Sequence, residues 1–169
     1  MAERILSAEQ LREILHYDKE TGVFTWRVNR GGRFGVAGQT AGCIGKNGRR
    51  RILTAGKANL AHRLAWLYVY GQWPTNHIDH INGNPDDNRI VNLRDVPRST
   101  NLQNQRKAQV SNKSCGMLGV SKNGPPRNPW RAQIRFNGTT KYLGIFPTPE
   151  LAHAAYIEAK RRLHPGCTI

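Results

Sequence analysis

Residues His77–Val96 read HIDHINGNPDDNRIVNLRDV. Few of these side chains can build a core, and asparagine returns again and again. HIDHI is short and strand-like, NGNP is a strong turn signal, and NLRDV has the form of a return strand. The helix expected next, TNLQNQRK, gives the order strand, loop, strand, helix. A polar loop made of ordinary turn residues is the plain reading of such a composition. A polar site held in a fixed frame is the sharper one.

The charge distribution favours the sharper reading. The 169-residue chain carries a formal net charge of +15. Such an excess points to a polyanion, nucleic acid ahead of anionic membrane. The net charge is +7 over residues 1–75, −1 over 76–105 and +9 over 106–169. The asparagine-rich stretch is thus a near-neutral island between two basic flanks. A surface that only gripped phosphate would not thin its positive charge there, whereas a cation site would. No stretch is long and apolar enough to span a bilayer, and no signal-peptide run opens the chain, so no membrane partner is expected. Cys43, Cys115 and Cys167 are far apart and odd in number. They suit neither a zinc ribbon nor a disulfide framework, and a reducing cytoplasm fits them best.

Upstream of the island, Ser7 and Gln10 form a capping-box pattern for a short helix. A strand is expected around Phe24–Val28, loop and short hairpin over 31–48, and a further strand at RRRILT. NLAHRLAWLYVYG is the best helix of this half, with Leu60, Leu64 and Leu67 on one stripe and Gly71 as its stop. Downstream, QVSNKSCG has linker composition. MLGVSK, WRAQIRF and TKYLGIF read as three strands. Within WRAQIRF, Trp130, Ala132, Ile134 and Phe136 share one face, and Arg131, Gln133 and Arg135 the other. TPELAHAAYIEAKRRL is expected to be a helix with Thr148 as N-cap and Pro149 at its first position. Its Leu151, Ala155, Tyr156 and Ala159 would cover the apolar side of the sheet, leaving a basic face exposed.

Phosphodiester hydrolysis needs a base to activate water and a cation to stabilise charge on the phosphate and the leaving oxygen. Asp79 is a hard oxygen donor suited to Mg²⁺ or Mn²⁺. His80 follows it, and adjacent strand residues point to opposite sides, so both serve one phosphate only at a kinked or loop-flanked strand end. Asn101, on the following helix, offers an amide oxygen as a second metal ligand. Asn92 opens the return strand, where its amide would either brace the hairpin or orient the imidazole. His77 shares a strand face with Asp79 and is equally open to a supporting role or to simple packing. Asp86 and Asp87 are read as turn formers, and Arg89 and Arg94 as solvated surface.

The block PTNHIDHINGNPDDNRIVNLRDVPRSTNLQNQ, residues 74–105, resembles HNH endonucleases of the phage and homing type. The resemblance implies the ββα-metal fold, in which a hairpin and a helix wrap one divalent cation. It implies His80 as general base, Asp79 and Asn101 as metal ligands, and Asn92 as the middle asparagine of the catalytic motif. YDKETGVFTW and AHRLAWLYVYGQWP resemble the leader that often precedes this motif. The piece from Gly116 to about Pro165 resembles the plant APETALA2/ethylene-response-factor DNA-binding domain, through GV, WRAQIRF, YLGIF and the alanine-rich helix. That resemblance implies DNA-facing roles for Ser121, Asn123, Gln133, Arg135 and Tyr142, to which strand parity adds Arg131. Lys141 is expected to touch phosphate. Several positions that are arginine in the plant proteins are serine, asparagine or threonine here, so the plant GC-rich target does not carry over.

The expectation is an α+β protein: a ββα-metal nuclease core with a C-terminal three-stranded antiparallel sheet packed on one helix. Its divisions are a DNA-contacting leader (1–73), the catalytic motif (74–107), a linker (108–115) and a DNA-binding domain (116–169). The expected activity is metal-dependent hydrolysis of double-stranded DNA, by nicking, in a monomer with one site per chain. A non-catalytic DNA-binding regulator and a structural RNA-binding protein are the alternatives. Neither needs Asp79, His80, Asn92 and Asn101 in that order.

Overall fold

The computed structural model describes residues 6–31, 35–108, 112, 114–123 and 125–169. Local sequence signals set its first helix. Ser7 and Gln10 exchange side-chain and backbone hydrogen bonds in a full capping box, opening α1 (Ala8–Ile14). Strands β1 (Leu15–Tyr17) and β2 (Phe24–Trp26) then pair antiparallel. Strands β3 (Cys43–Ile44), β4 (Arg50–Thr54) and β5 (Lys57–Leu60) form a second antiparallel sheet in the order β3-β4-β5. Helix α2 (Ala61–Tyr70) ends at Gly71 in the left-handed conformation. It begins later than the hydrophobic stripe suggests, because Asn59 and Leu60 pair with Ile52 and Arg51 as the end of β5. Strands β6 (His77–His80) and β7 (Leu93–Val96) make the hairpin expected around the polar loop. A 3-10 turn at Ile90–Asn92 leads into β7.

The chain divides into two compact units, residues 1–97 and 98–169. The first is built on one apolar core. Leu11, Leu15, Phe24, Ile52, Leu64 and Leu67 share it with Ile78 and Leu93 of the β6–β7 hairpin. The boundary expected at 73/74 therefore divides no packing: the leader is the hydrophobic support of the hairpin. The linker expected at 108–115 falls partly outside the described residues.

The second unit begins with α3 (Arg98–Gln103), which is shorter than the polar run from Thr100 to Lys107 suggests. The chain beyond it is tied down elsewhere in the same unit. Thr168 Oγ1 donates to Asn104 Oδ1 at 2.5 Å, and the Lys160 ammonium donates to the Gln105 carbonyl. Strands β8 (Val120–Lys122), β9 (Trp130–Phe136) and β10 (Thr139–Phe146) form an antiparallel sheet in the order β10-β9-β8. Helix α4 (Pro149–Leu163) starts with the Thr148 hydroxyl accepting from Leu151 N. It covers Val120, Ala132 and Ile134 with Ala152, Tyr156 and Ala159. Leu151, expected in this contact, is exposed at 52 %, and Ala152 takes its place. The helix meets the sheet about one residue further round than the stripe of large side chains implied.

Gly119 shows how closely α4 sits on the sheet. Its φ is +71°, and a Cβ there would lie 1.9 Å from the Tyr156 ring. Strain in the backbone and overpacking would each cost about 1–3 kcal/mol. Gly119→Ala is therefore expected to lower the urea midpoint of the transition that unfolds the second unit. Hydrogen exchange at the β8 and β9 amides locates the loss. Unchanged protection there would show that α4 does not rest on Gly119.

Candidate active site

The polar loop between β6 and β7 is held by its own side chains. Asn92 Nδ2 donates to Asn82 Oδ1 at 3.0 Å and to the Asp87 carbonyl at 2.8 Å, while Asn92 Oδ1 accepts from Asn82 N at 2.9 Å. Three of the four bonds an amide can make are thus spent closing the loop. Of the two roles open to Asn92, bracing the hairpin is the one its bonds perform. Asn82 Oδ1 also accepts from Asn84 N, and Asn84 Oδ1 from Asp86 N. Such Asx turns let a chain keep its shape without an apolar core.

The two aspartates of the turn, expected to be turn formers only, also anchor it. Arg50 of β4 forks onto Asp86, both bonds at 3.1 Å. Arg89 forks onto Asp87 at 2.8 and 2.6 Å, and Asn82 Nδ2 reaches the same carboxylate at 2.6 Å. The Arg89 hydrogen bonds are the main reason the Asp87 carboxyl is held down at about 2. The β1–β2 turn supports the loop from beneath. Tyr17 Oη donates to the Asn88 carbonyl at 2.7 Å. Gly22 lies so close that a Cβ would meet Arg89 N at 2.4 Å.

Asp79 and His80 stand at the end of β6 against this frame, both buried. His80 is the last strand residue, paired with Leu93, and the polar loop leaves directly after it. Arg94 faces Asp79 across the hairpin and places Nη2 and Nε 2.7 and 2.9 Å from Oδ2. This guanidinium, expected on the solvated surface, holds the carboxylate in one orientation. A buried carboxylate gripped on one oxygen matches the hard-donor chemistry of Mg²⁺ or Mn²⁺. Among the described residues no cluster of three His, Cys, Asp or Glu side chains forms.

The His80 ring lies between two buried neighbours. Its Nε2 is 3.4 Å from Asn88 Oδ1. The His62 ring of α2 meets it edge to face, with centroids 5.0 Å apart and planes at 88°. Burial pushes the His80 imidazole below its ordinary value, and the Asn88 hydrogen bond and the Asp79 and Asp87 charges oppose that only in part. Its neutral, proton-accepting form is thereby favoured. Burial, followed by the His80 and Arg49 charges, takes His62 down to about 3, and its Nδ1 has no hydrogen-bond partner among the described residues.

The other expected residues lie further from this pair in the chain or on other elements. His77 lies at the exposed outer end of β6. Asn101 is on α3, in the second unit, and is half-buried. In the C-terminal sheet the register sets Arg131 beside Ser121 and Ile145, Gln133 beside Tyr142, and Arg135 beside Thr140. These side chains share the face away from α4, where Arg131 stacks its guanidinium over the Tyr142 ring at 5.2 Å. Asn123 is exposed just beyond β8, and its N–H donates to the Pro129 carbonyl. Lys141 pairs with Ile134, hence on the α4 side, with its ammonium 5.3 Å from the Phe136 ring. Leu143 follows on that same side and packs against the core, and the ladder is irregular between Tyr142 and Gly144. Sequence reasoning misses His62 and Asn88. Asn88 looks like one more turn residue, and His62 sits beside a leucine stripe that carries the stronger signal. The buried face includes Ala61, His62 and Ala65 as well as Leu64 and Leu67 of the stripe.

A comparison with protein families gives this arrangement its class. Residues 59–103 match the family described as HNH endonuclease. The chain thus carries an HNH endonuclease domain, the domain of a nuclease that acts on DNA and typically uses a divalent metal. Searches of curated proteins and of solved structures return no match. No helix among the described residues is long and apolar enough to cross a membrane.

His62 makes the stability of this unit acid-sensitive. Between pH 6.5 and about 3 the unfolded chain binds a proton at His62 that the native state refuses. Its contribution is therefore intact at pH 7 and is lost as pH falls below 6.5, at up to about 1.4 kcal/mol per pH unit. His62→Phe is expected to flatten the fall in urea midpoint between pH 7 and 5. A parallel fall in both proteins would place the acid sensitivity elsewhere.

Proposed function

We propose that this protein is a metal-dependent HNH endonuclease of the phage or homing type that nicks double-stranded DNA. The observation that carries the reading is the buried Asp79–His80 pair, set at a strand end against a cross-braced loop within the matched segment. His80 is the general base: its imidazole, kept neutral by burial, takes the proton of the attacking water. Arg94 holds Asp79 so that its carboxylate serves as the metal donor. Mg²⁺ or Mn²⁺ on Asp79, with Asn101 as the further proposed donor, would stabilise negative charge on the phosphate and the leaving oxygen. Asn92 contributes by keeping the loop closed over the pair.

The second unit is proposed as the DNA-reading module, in the manner of the APETALA2-type domain it resembles. Ser121, Arg131, Gln133, Arg135 and Tyr142 form an open basic face, with Asn123 at its edge. Alternate residues of one strand lie about 6.6 Å apart, close to two base-pair steps of about 3.4 Å. Lys141, on the other face, is proposed to grip phosphate from the rim. A DNA-binding regulator would use the same sheet. It would have no use for a carboxylate and an imidazole buried side by side at the loop.

Two measurements test these proposals. Purified protein with Mg²⁺ or Mn²⁺ is expected to convert supercoiled plasmid to open circles, and His80→Ala to lose about 10²–10⁴-fold in rate while binding DNA normally. Undiminished nicking by His80→Ala would remove the assignment, and Asp79→Ala and Asn101→Ala check the metal donors in the same assay. For the sheet, Arg135→Ala is expected to relax preference at one or two base pairs of a selected site, a loss of about 1–3 kcal/mol of discrimination. Lys141→Ala should instead weaken all sequences alike and reduce the salt slope by about one. Salt titrations on selected and scrambled duplexes separate the two, and equal losses for Arg135→Ala would reduce the sheet to a backbone grip.

A further inference from the structure

An imidazole has two ring nitrogens, and a neutral ring has a lone pair on only one of them. Which one His80 offers is decided by its neighbour. Asn88 is 1 % exposed, and its amide orientation is set away from the ring: Nδ2 donates to the Asp86 carbonyl at 3.0 Å. A carbonyl oxygen in that place would face another carbonyl, so Oδ1 is the atom that faces His80 Nε2 at 3.4 Å. An amide oxygen only accepts, so Nε2 carries the ring proton and Nδ1 the lone pair.

The fold holds Asn88 independently of the ring. Its carbonyl takes the Tyr17 hydroxyl, and its backbone rests on Gly22 at the β1–β2 turn. His62 closes the other side of the imidazole. Asn92, which was open to the orienting role by sequence, has its amide committed to Asn82 and Asp87 instead.

We infer that Asn88 is the positioning residue of the site, locking His80 in the Nε2–H tautomer so that Nδ1 receives the proton of the attacking water. The inference rests on the nuclease reading above. In the step, the water oxygen forms a bond to phosphorus as its proton passes to Nδ1. The bond from phosphorus to the leaving ester oxygen breaks, and that oxygen takes a proton from solvent. Asn88 touches neither DNA nor the reacting atoms in this scheme. Its effect is to keep one nitrogen basic and aimed.

The test reads the tautomer directly. Long-range ¹H–¹⁵N correlation spectra of the full ¹⁵N-labelled chain at pH 7.5, with His80→Gln to assign the ring, are expected to show Nε2 protonated and Nδ1 not. The opposite tautomer, or a mixture in the wild type, would overturn the inference. Asn88→Ala is expected to give mixed tautomers and a kcat on supercoiled plasmid about 10–100-fold lower, with KM within about twofold. Asn88→Asp keeps an acceptor and should keep Nε2 protonated, while its negative charge favours the imidazolium. A folded Asn88→Ala with the wild-type spectrum and rate also refutes it. If neither variant folds, the wild-type spectrum decides alone. A wild-type protein that cuts no plasmid defeats the nuclease reading, and the spectrum still answers for Asn88.

Discussion

A loop with almost no hydrocarbon to bury keeps a fixed shape only if its polar groups satisfy one another, and here Asn92 carries that duty. Its amide joins Asn82 at one end of the loop to the Asp87 carbonyl at the other. Because each group bonded inside the frame is a group not bonded to water, an incomplete set would cost about 1–3 kcal/mol for each partner left unmet. The completed set holds Asn88 beside His80, and Asp79 and His80 are both buried next to this loop. Burial keeps the imidazole neutral, and the low local polarity strengthens the Arg94 grip on the carboxylate.

The support of this loop comes from the part of the chain that looked like a leader. Tyr17 at the end of β1 and Gly22 in the turn after it hold Asn88 and Arg89, Arg50 holds Asp86 from β4, and His62 of α2 flanks the His80 ring. The family match begins at residue 59, which takes in α2 and His62 with the hairpin. The support of the loop is thus drawn from residues as distant in the chain as Tyr17, Arg50 and His62, all within the first unit.

The second unit follows a different logic. Its sheet has one face sealed by α4 and one left open, and the open face carries the arginines. Alternation along β9 separates the two faces without help from the rest of the fold. In β10 alternation likewise sets Lys141 and Tyr142 on opposite sides, and the register shifts only beyond them, between Tyr142 and Gly144.

Alternation and capping are properties of neighbouring residues, which is why the sequence alone determined the α1 cap, the two faces of β9, the α4 start at Thr148 and the hairpin around the asparagine-rich loop. The order Asp79, His80, Asn92 and Asn101 likewise pointed to a candidate site, because those residue types have little other reason to stand in that order. What only the tertiary structure decided depends on partners distant in the chain. Arg94 became a clamp because the hairpin register sets it opposite Asp79. Leu151 lost its place to Ala152 because the helix is rotated on the sheet by contacts such as Gly119 with Tyr156. His62 and Asn88 became the walls around the His80 ring because one core draws α2, β1, β2 and the hairpin together. Local pattern chooses the element and its faces; packing across the chain chooses which face meets which neighbour, and no short window of sequence contains both partners.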